Sequence, residues 1–346
     1  MSAVISQLSK KTKSLEVNIF GQTPSWFWSS NLPHNCIVRI IEEVTDVGLV
    51  QQGPFHHSLI DTHSRISQWL SFSESQLAKP LSLLVNQDPH LILCDISPLG
   101  IELANRLQIP SILMENFTWD WIYRSYLNQY RQFGQVIDQL KMIYLKADLR
   151  IQCLPFCEKK DNCPSINPIF RPSKLGSDVV YSKLGLNSND KYSILTTGGI
   201  PMKHQISECY KDIYIVIPGD YPSIKRTNQF IHVPMNWDVP FIDLVKSSQL
   251  VIGKAGYGTV SECWGMNIPF LGVFRHNFPE SKVLRKFCHE NLCFNEISQS
   301  SFLSGSWLEN CKEYKPIQKM NQPKLNGAIQ AADLILNFTC KEVGRI

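Results

Sequence analysis

Long apolar runs are missing from this 346-residue sequence: none reaches the roughly 18 residues that a membrane-spanning helix needs, and Met1 to Lys13 has no basic-then-apolar leader profile. Any contact with a membrane is therefore expected to be peripheral. Arginine-rich runs are missing too, and a formal net charge of +4 is too small to suggest a nucleic-acid partner. The eleven cysteines lack the dense, even spacing of a secreted disulfide scaffold. They read as reduced thiols, and a cytoplasmic location is expected. Cys153, Cys157 and Cys163 stand closest together, but no histidine lies among them and their spacing fits no zinc pattern, so no metal is expected.

What is present is an ordinary globular composition, 43% hydrophobic and 18% charged. The length suits two domains of roughly 150 to 170 residues each. In the first half, Leu15 to Phe20 alternates like a strand after a short helix over Met1 to Leu8, and Asn35 to Ile41 reads as a further strand. Gln51 to His57 reads as a loop, and a helix is expected from Leu59 towards Leu84. Pro89 to Asp95 is an apolar strand ending on a carboxylate, followed by a helix through Leu107 and a strand over Ile109 to Met114. This βαβ unit implies a parallel sheet. Polar and aromatic residues crowd the end of that last strand, from Glu115 to Trp121, at the edge where open α/β sheets bind ligands. A long helix over Tyr123 to Leu145 and a strand over Leu149 to Leu154 follow.

The proline-rich stretch Asn162 to Pro172 marks a connection between domains. Residues 1–170 are read as the first domain, 171–190 as linker and 191–346 as the second domain, closed by an amphipathic helix over 324–337. The second half restarts the same grammar with strands at Lys191–Thr197, Ile213–Ile217 and Gln229–Val233, and helices at Lys203–Tyr210 and Phe241–Ser247. Its most informative stretch is Leu250 to Glu262. There a short β-branched run ends at Lys254, Gly256 and Gly258 follow closely, and Thr259 is expected to cap a helix. The glycines can take positive φ and let a ligand approach the backbone, and the helix N-terminus suits a phosphate. Glu262, three residues after Thr259, also completes a capping box.

The run Gly253 to Glu262, with Gly265-x-x-Ile268-Pro269-Phe270 after it, resembles the nucleotide-binding half of GT-B glycosyltransferases. The broad relatives are enzymes like the peptidoglycan lipid-intermediate N-acetylglucosaminyltransferase. A closer similarity is to the glycosyltransferase-like domain that precedes the sugar kinase in plant arabinokinases, and to its free-standing bacterial relatives. Asp95-x-x-Pro98, Ile109-Pro110-Ser111, Asn116-Phe117-x-Trp119-Asp120 and Asn277-Phe278-x-Glu280 carry it.

The resemblance implies an α/β protein of two Rossmann-like domains facing a cleft. Its implied function is metal-independent transfer of a sugar from a nucleotide diphosphate sugar to an unknown acceptor, with no resident cofactor. Gly256, Tyr257, Gly258 and Thr259 match the loop that holds the donor's diphosphate, and Glu262 the carboxylate that takes the ribose hydroxyls. Gly198 and Gly199 match a glycine turn facing the diphosphate or acceptor, and Met235 and Asn236 the loop that touches the base. Lys254 stands either by a phosphate or as a solvated side chain at the strand end, and Arg275 and Glu280 where sugar or ribose contacts fall.

One family feature is missing. The expected first strand and its loop of the type Gly-His-Gly-x-Gly-His do not occur, because Met1 to Ser6 falls where the following helix should be. The first domain is thus expected to lack its N-terminal strand. A start assigned too late, a truncated enzyme, or another base drawn from His56, His57, Asp95 and Asp120 would each account for this, and the first is preferred. The alternative functions are a silent nucleotide-sugar-binding module and a nucleotide-sugar epimerase on the same fold.

Overall fold

The computed structural model describes residues 1–198, 213–310 and 324–343. The first half comprises α1 (Ser2–Lys11), β1 (Leu15–Gly21), α2 (Ser25–Asn31), β2 (Cys36–Glu42), the short strands β3 (Val50–Gln51) and β4 (His57–Ser58), α3 (Leu59–Trp69), α4 (Glu74–Gln87), β5 (Ile92–Asp95), α5 (Pro98–Leu107), β6 (Ser111–Glu115), α6 (Trp119–Arg124), α7 (Phe133–Tyr144), β7 (Leu149–Cys153) and β8 (Ser165–Ile166). Strands β5-β6-β7-β8 form a parallel sheet in that order, while β1 and β2 pair, also parallel, in a separate two-stranded sheet. Helix α1 bridges the two. Its Ala3, Val4 and Leu8 pack with Ile112, Met114 and Ile151, and its Ile5 packs with Ile19, Trp28 and Leu32.

Two helices differ from the reading of the sequence. The helix expected from Leu59 towards Leu84 is broken, because Phe72 takes a positive φ of 43° and the Ser73 hydroxyl caps α4 by accepting from Gln76 N. The helix expected over Tyr123 to Leu145 is likewise two, α6 and α7. Between them the Tyr126 hydroxyl donates to the Asn277 carbonyl in the other half, and Tyr130 turns onto His63 and Phe133. Tertiary partners for these two tyrosines win over helix propensity. Residues 51–57, read as a loop, close a small antiparallel hairpin between β3 and β4.

The second half comprises α8 (Ser177–Leu184), β9 (Tyr192–Thr196), β10 (Tyr214–Gly219), β11 (Lys225–Thr227), β12 (Phe230–Pro234), α9 (Phe241–Ser247), β13 (Leu250–Lys254), α10 (Tyr257–Met266), β14 (Phe270–Val273), α11 (Ser281–Asn291), β15 (Phe294–Glu296), α12 (Gln299–Ser304), α13 (Trp307–Asn310) and α14 (Gly327–Val343). The helix read over Lys203 to Tyr210 lies outside the described residues. The seven-stranded sheet runs β11-β12-β10-β9-β13-β14-β15, parallel except for β11. Successive strand residues face opposite layers. Ile194, Val216, Val251 and Phe270 join one core, with side chains of α8 to α11, and Leu195, Ile215, Ile252 and Leu271 join the other, beneath Phe302 and Trp307. Helix α14 returns to the first half, where Ala328, Ala331, Ala332 and Ile335 pack with Ile112 and Ile151.

Without the antiparallel edge strand, the sheet order starting at β9 is third, second, first, fourth, fifth, sixth. The strand order therefore reverses between β9 and β13. In open α/β sheets this switch point opens a crevice at the strands' C-terminal ends, and ligands bind there.

Candidate functional site

The two strands flanking the switch point approach closely because Gly253 has no side chain: a Cβ there would stand 2.2 Å from the Thr196 carbonyl oxygen. Strand β9 leads to Gly198, which has a φ of +73° and donates its N–H to Thr196 Oγ1 at 3.1 Å. Only glycine takes that conformation without strain. Strand β13 leads through Lys254 to Gly256, which caps α10 in an extended conformation, with no side-chain hydrogen bond to the helix end. Among the described residues, the first-turn N–H groups from Tyr257 to Thr259 have no acceptor, which leaves them for an external one. The helix begins at Tyr257, so Thr259 lies inside its first turn and does not cap it, and the capping box with Glu262 does not form. Gly256 and Gly258 do not adopt positive φ either. Their contribution is space, since a Cβ on either would meet nothing within 4 Å.

Cations gather around this helix end. Burial, with repulsion from Arg275, lowers the Lys254 ammonium to about 8. Arg275, beyond β14, donates through Nη2 to Glu280 Oε1 at 2.6 Å and lies over the Phe278 ring at 3.3 Å. The other carboxylate oxygen, Glu280 Oε2, is buried with no hydrogen-bond partner among the described residues. Burial also raises the Glu280 carboxyl above its ordinary range, against the pull of Arg275. An uncapped helix, two cations and one unsatisfied carboxylate oxygen thus share a single sheet edge. Among the described residues, no group of three His, Cys, Asp or Glu side chains could hold a metal ion.

Met235 and Asn236 are exposed at the same sheet edge, beyond β12. Glu262 is buried, and its Oε1 accepts from Arg171 Nε at 2.6 Å; that guanidinium also reaches Asn31 of the first half and faces the Phe27 ring. Gly199 lies outside the described residues. His56 is exposed, whereas His57 sits edge-on against Tyr126 and Phe278, its Nδ1 buried with no hydrogen-bond partner among the described residues. Burial and the nearby Arg275 charge lower the His57 pKa, which favours the neutral imidazole. The Asp95 carboxylate is exposed, 3.8 Å from the Met1 ammonium, and the buried Asp120 pairs with Arg124 at 3.4 Å.

The C-terminal edges of the two sheets face one another. Tyr257, first in α10, meets the Phe117 ring from beyond β6 at 5.7 Å, and its hydroxyl lies 3.1 Å from Cys157 Sγ from beyond β7. Sequence reasoning passed over Asp46, in the loop beyond β2. It belongs to no motif, and its only signal is the one that marked Asp95, a carboxylate just past an apolar strand.

Two α/β units with opposed sheet edges form the GT-B glycosyltransferase fold. Among solved structures, the calicheamicin glycosyltransferase CalG4 superposes with a TM-score of 0.59 at 14% identity, covering 97% of this chain and 94% of that one. Arabidopsis thaliana UGT89C1, solved with UDP-L-rhamnose, gives 0.57 at 13% identity, covering 98% and 95%. In sequence, the chain is 23% identical over 249 residues to L-arabinokinase of Arabidopsis thaliana, covering 70% of this chain and 24% of that protein. The chain thus spans about a quarter of that relative's length. No family model matches the chain. No described helix is long and apolar enough to cross a membrane.

Proposed function

We propose that this chain binds a nucleotide diphosphate sugar at the switch point of its second sheet and transfers the sugar to an acceptor lying against the first. The observation that carries this reading is the uncapped N-terminus of α10, flanked by Lys254 and Arg275. A diphosphate there accepts from first-turn N–H groups and the two cations, which stabilise the negative charge that grows on it as the sugar leaves. Fixed donors in a partly desolvated site do this without a metal. Gly198 keeps the opposite side of the crevice low, and the free Glu280 oxygen accepts from a sugar or ribose hydroxyl. Met235 and Asn236 stand where the base lies. Glu262 reaches the ribose only by sharing its carboxylate with Arg171.

The test is product analysis with UDP-, dTDP- and GDP-sugars labelled in the sugar, with and without a panel of hydroxylated acceptors. Label moving to an acceptor or to water, with release of the nucleoside diphosphate, supports transfer. Interconversion of the donor without an acceptor identifies an epimerase instead. Binding without conversion identifies a silent nucleotide-sugar module.

A further inference from the structure

The loop of residues 43–49, between β2 and β3, is unusually well held for a segment without secondary structure. The Ser97 hydroxyl, which also caps α5, donates to the Thr45 carbonyl at 3.0 Å. The Tyr123 hydroxyl donates to the Gly48 carbonyl at 2.6 Å, and Val50 N donates to Thr62 Oγ1 at 2.9 Å. Gly48 itself has a φ of +63° and lies so near the Trp119 ring that a Cβ would be 3.2 Å from it. These contacts, from α3, the N-cap of α5 and α6, hold the backbone on both sides of Asp46. Asp46 Oδ2 accepts from Trp119 Nε1 at 3.1 Å, and Oδ1 has no hydrogen bond among the described residues.

Trp119 also ties Asp46 to the donor side. Its ring meets Phe117 at 5.2 Å, and Phe117 meets Tyr257, at the start of α10, at 5.7 Å. Two ring contacts therefore connect the carboxylate with the proposed diphosphate loop across the facing sheet edges.

We infer that Asp46 is the general base of the transfer, with Trp119 as the residue that positions it; this rests on the donor-site reading above. The acceptor's hydroxyl oxygen bonds to the anomeric carbon while the bond from that carbon to the diphosphate oxygen breaks. The electron pair leaves with the nucleoside diphosphate, and the hydroxyl proton passes to Asp46 Oδ1. A base must lie within hydrogen-bond reach of that proton and be ionised at working pH. Burial, with repulsion from Asp95 on β5, raises the Asp46 carboxyl to about 6 against the lowering effect of the Trp119 bond. Tyr123 on α6 and Tyr144 on α7 also face it; burial raises both hydroxyls, so they stay neutral. Asp95 is exposed and beside the Met1 ammonium, whereas Asp120 is committed to Arg124, and neither carries a comparable positioning bond.

The test compares wild type, Asp46→Asn and Trp119→Phe in sugar release from UDP-, dTDP- and GDP-hexoses, with water as the acceptor, across pH 4.5 to 9. Nucleoside diphosphate affinity is measured alongside by calorimetry. Asp46→Asn is expected to lower the rate about 10²- to 10⁴-fold and to remove the acidic limb of the profile, with affinity unchanged. Trp119→Phe is expected to move that limb to higher pH, which a merely structural contact would not do. Asp46→Asn turning over like wild type, or an unchanged limb, overturns the inference and leaves the donor site standing. Wild-type protein that binds a nucleoside diphosphate but releases sugar from none of the donors also overturns it. Absence of any nucleoside diphosphate binding removes the donor-site reading as well.

Discussion

Asp46 and Lys254 are both held away from their ordinary ionisation ranges by burial, and both have measurable pH signatures. The Asp46 carboxyl titrates at about 6 in the folded chain, against an ordinary value near 4. A raised carboxyl stabilises the fold fully when protonated in both states, and this stability is lost as pH rises through about 6. The loss amounts to at most about 3 kcal/mol. Thermal melts should therefore show Asp46→Asn more stable than wild type at pH 7.5 and equal to it near pH 4. For Lys254 the sign is opposite in its effect on ligand. The ammonium loses its charge as pH rises through about 8, so UDP affinity should fall by about tenfold per pH unit above that point until other groups titrate. Lys254→Met should weaken binding at pH 7 and flatten this dependence, both read by calorimetry.

Such residues differ in how far the sequence discloses them. Lys254 is marked by the short apolar run that ends on it, whereas Arg275 and Glu280 enter only through the resemblance to GT-B glycosyltransferases. Asp46 was not visible, since its orientation depends on Trp119, 73 positions further along the chain.

At the level of elements, apolar periodicity located most strands and helices, because buried parallel strands must be apolar on both faces. Boundaries set by tertiary partners were less accessible. The start of α10 was misplaced because Thr259 and Glu262 have the spacing of a capping box, while the actual cap, Gly256, has no side chain to signal it. The break between α6 and α7 is set by a hydrogen bond to Asn277, which local propensity does not encode. Helix α14 docks through close backbone approach: a Cβ at Gly327 would lie 1.9 Å from the Asn167 carbonyl oxygen. Gly327→Ala is accordingly expected to cost about 1–3 kcal/mol as the helix shifts off the first half, seen as a lower Tm.

For the whole molecule, the resemblance in sequence and the superposition of solved structures agree on two α/β units with opposed edges. Which contacts tie the units together could not be read beforehand. The linker residue Arg171 joins Glu262 of the second half to Asn31 of the first, and Tyr257 reaches Cys157. Contacts of this kind arise between segments far apart in sequence, and residue spacing carries no trace of them. They also place Tyr257, first in α10, at the contact between the two halves.

A calorimetric titration of UDP, dTDP and GDP into wild type and Gly258→Val tests the donor-site reading most directly. Gly258 is exposed in the first turn of α10 with open space around it, so a valine there leaves the fold intact while crowding the helix end. The expected result is that at least one nucleoside diphosphate binds wild type and fails to bind a folded Gly258→Val variant. Equal affinities for the two proteins would contradict it.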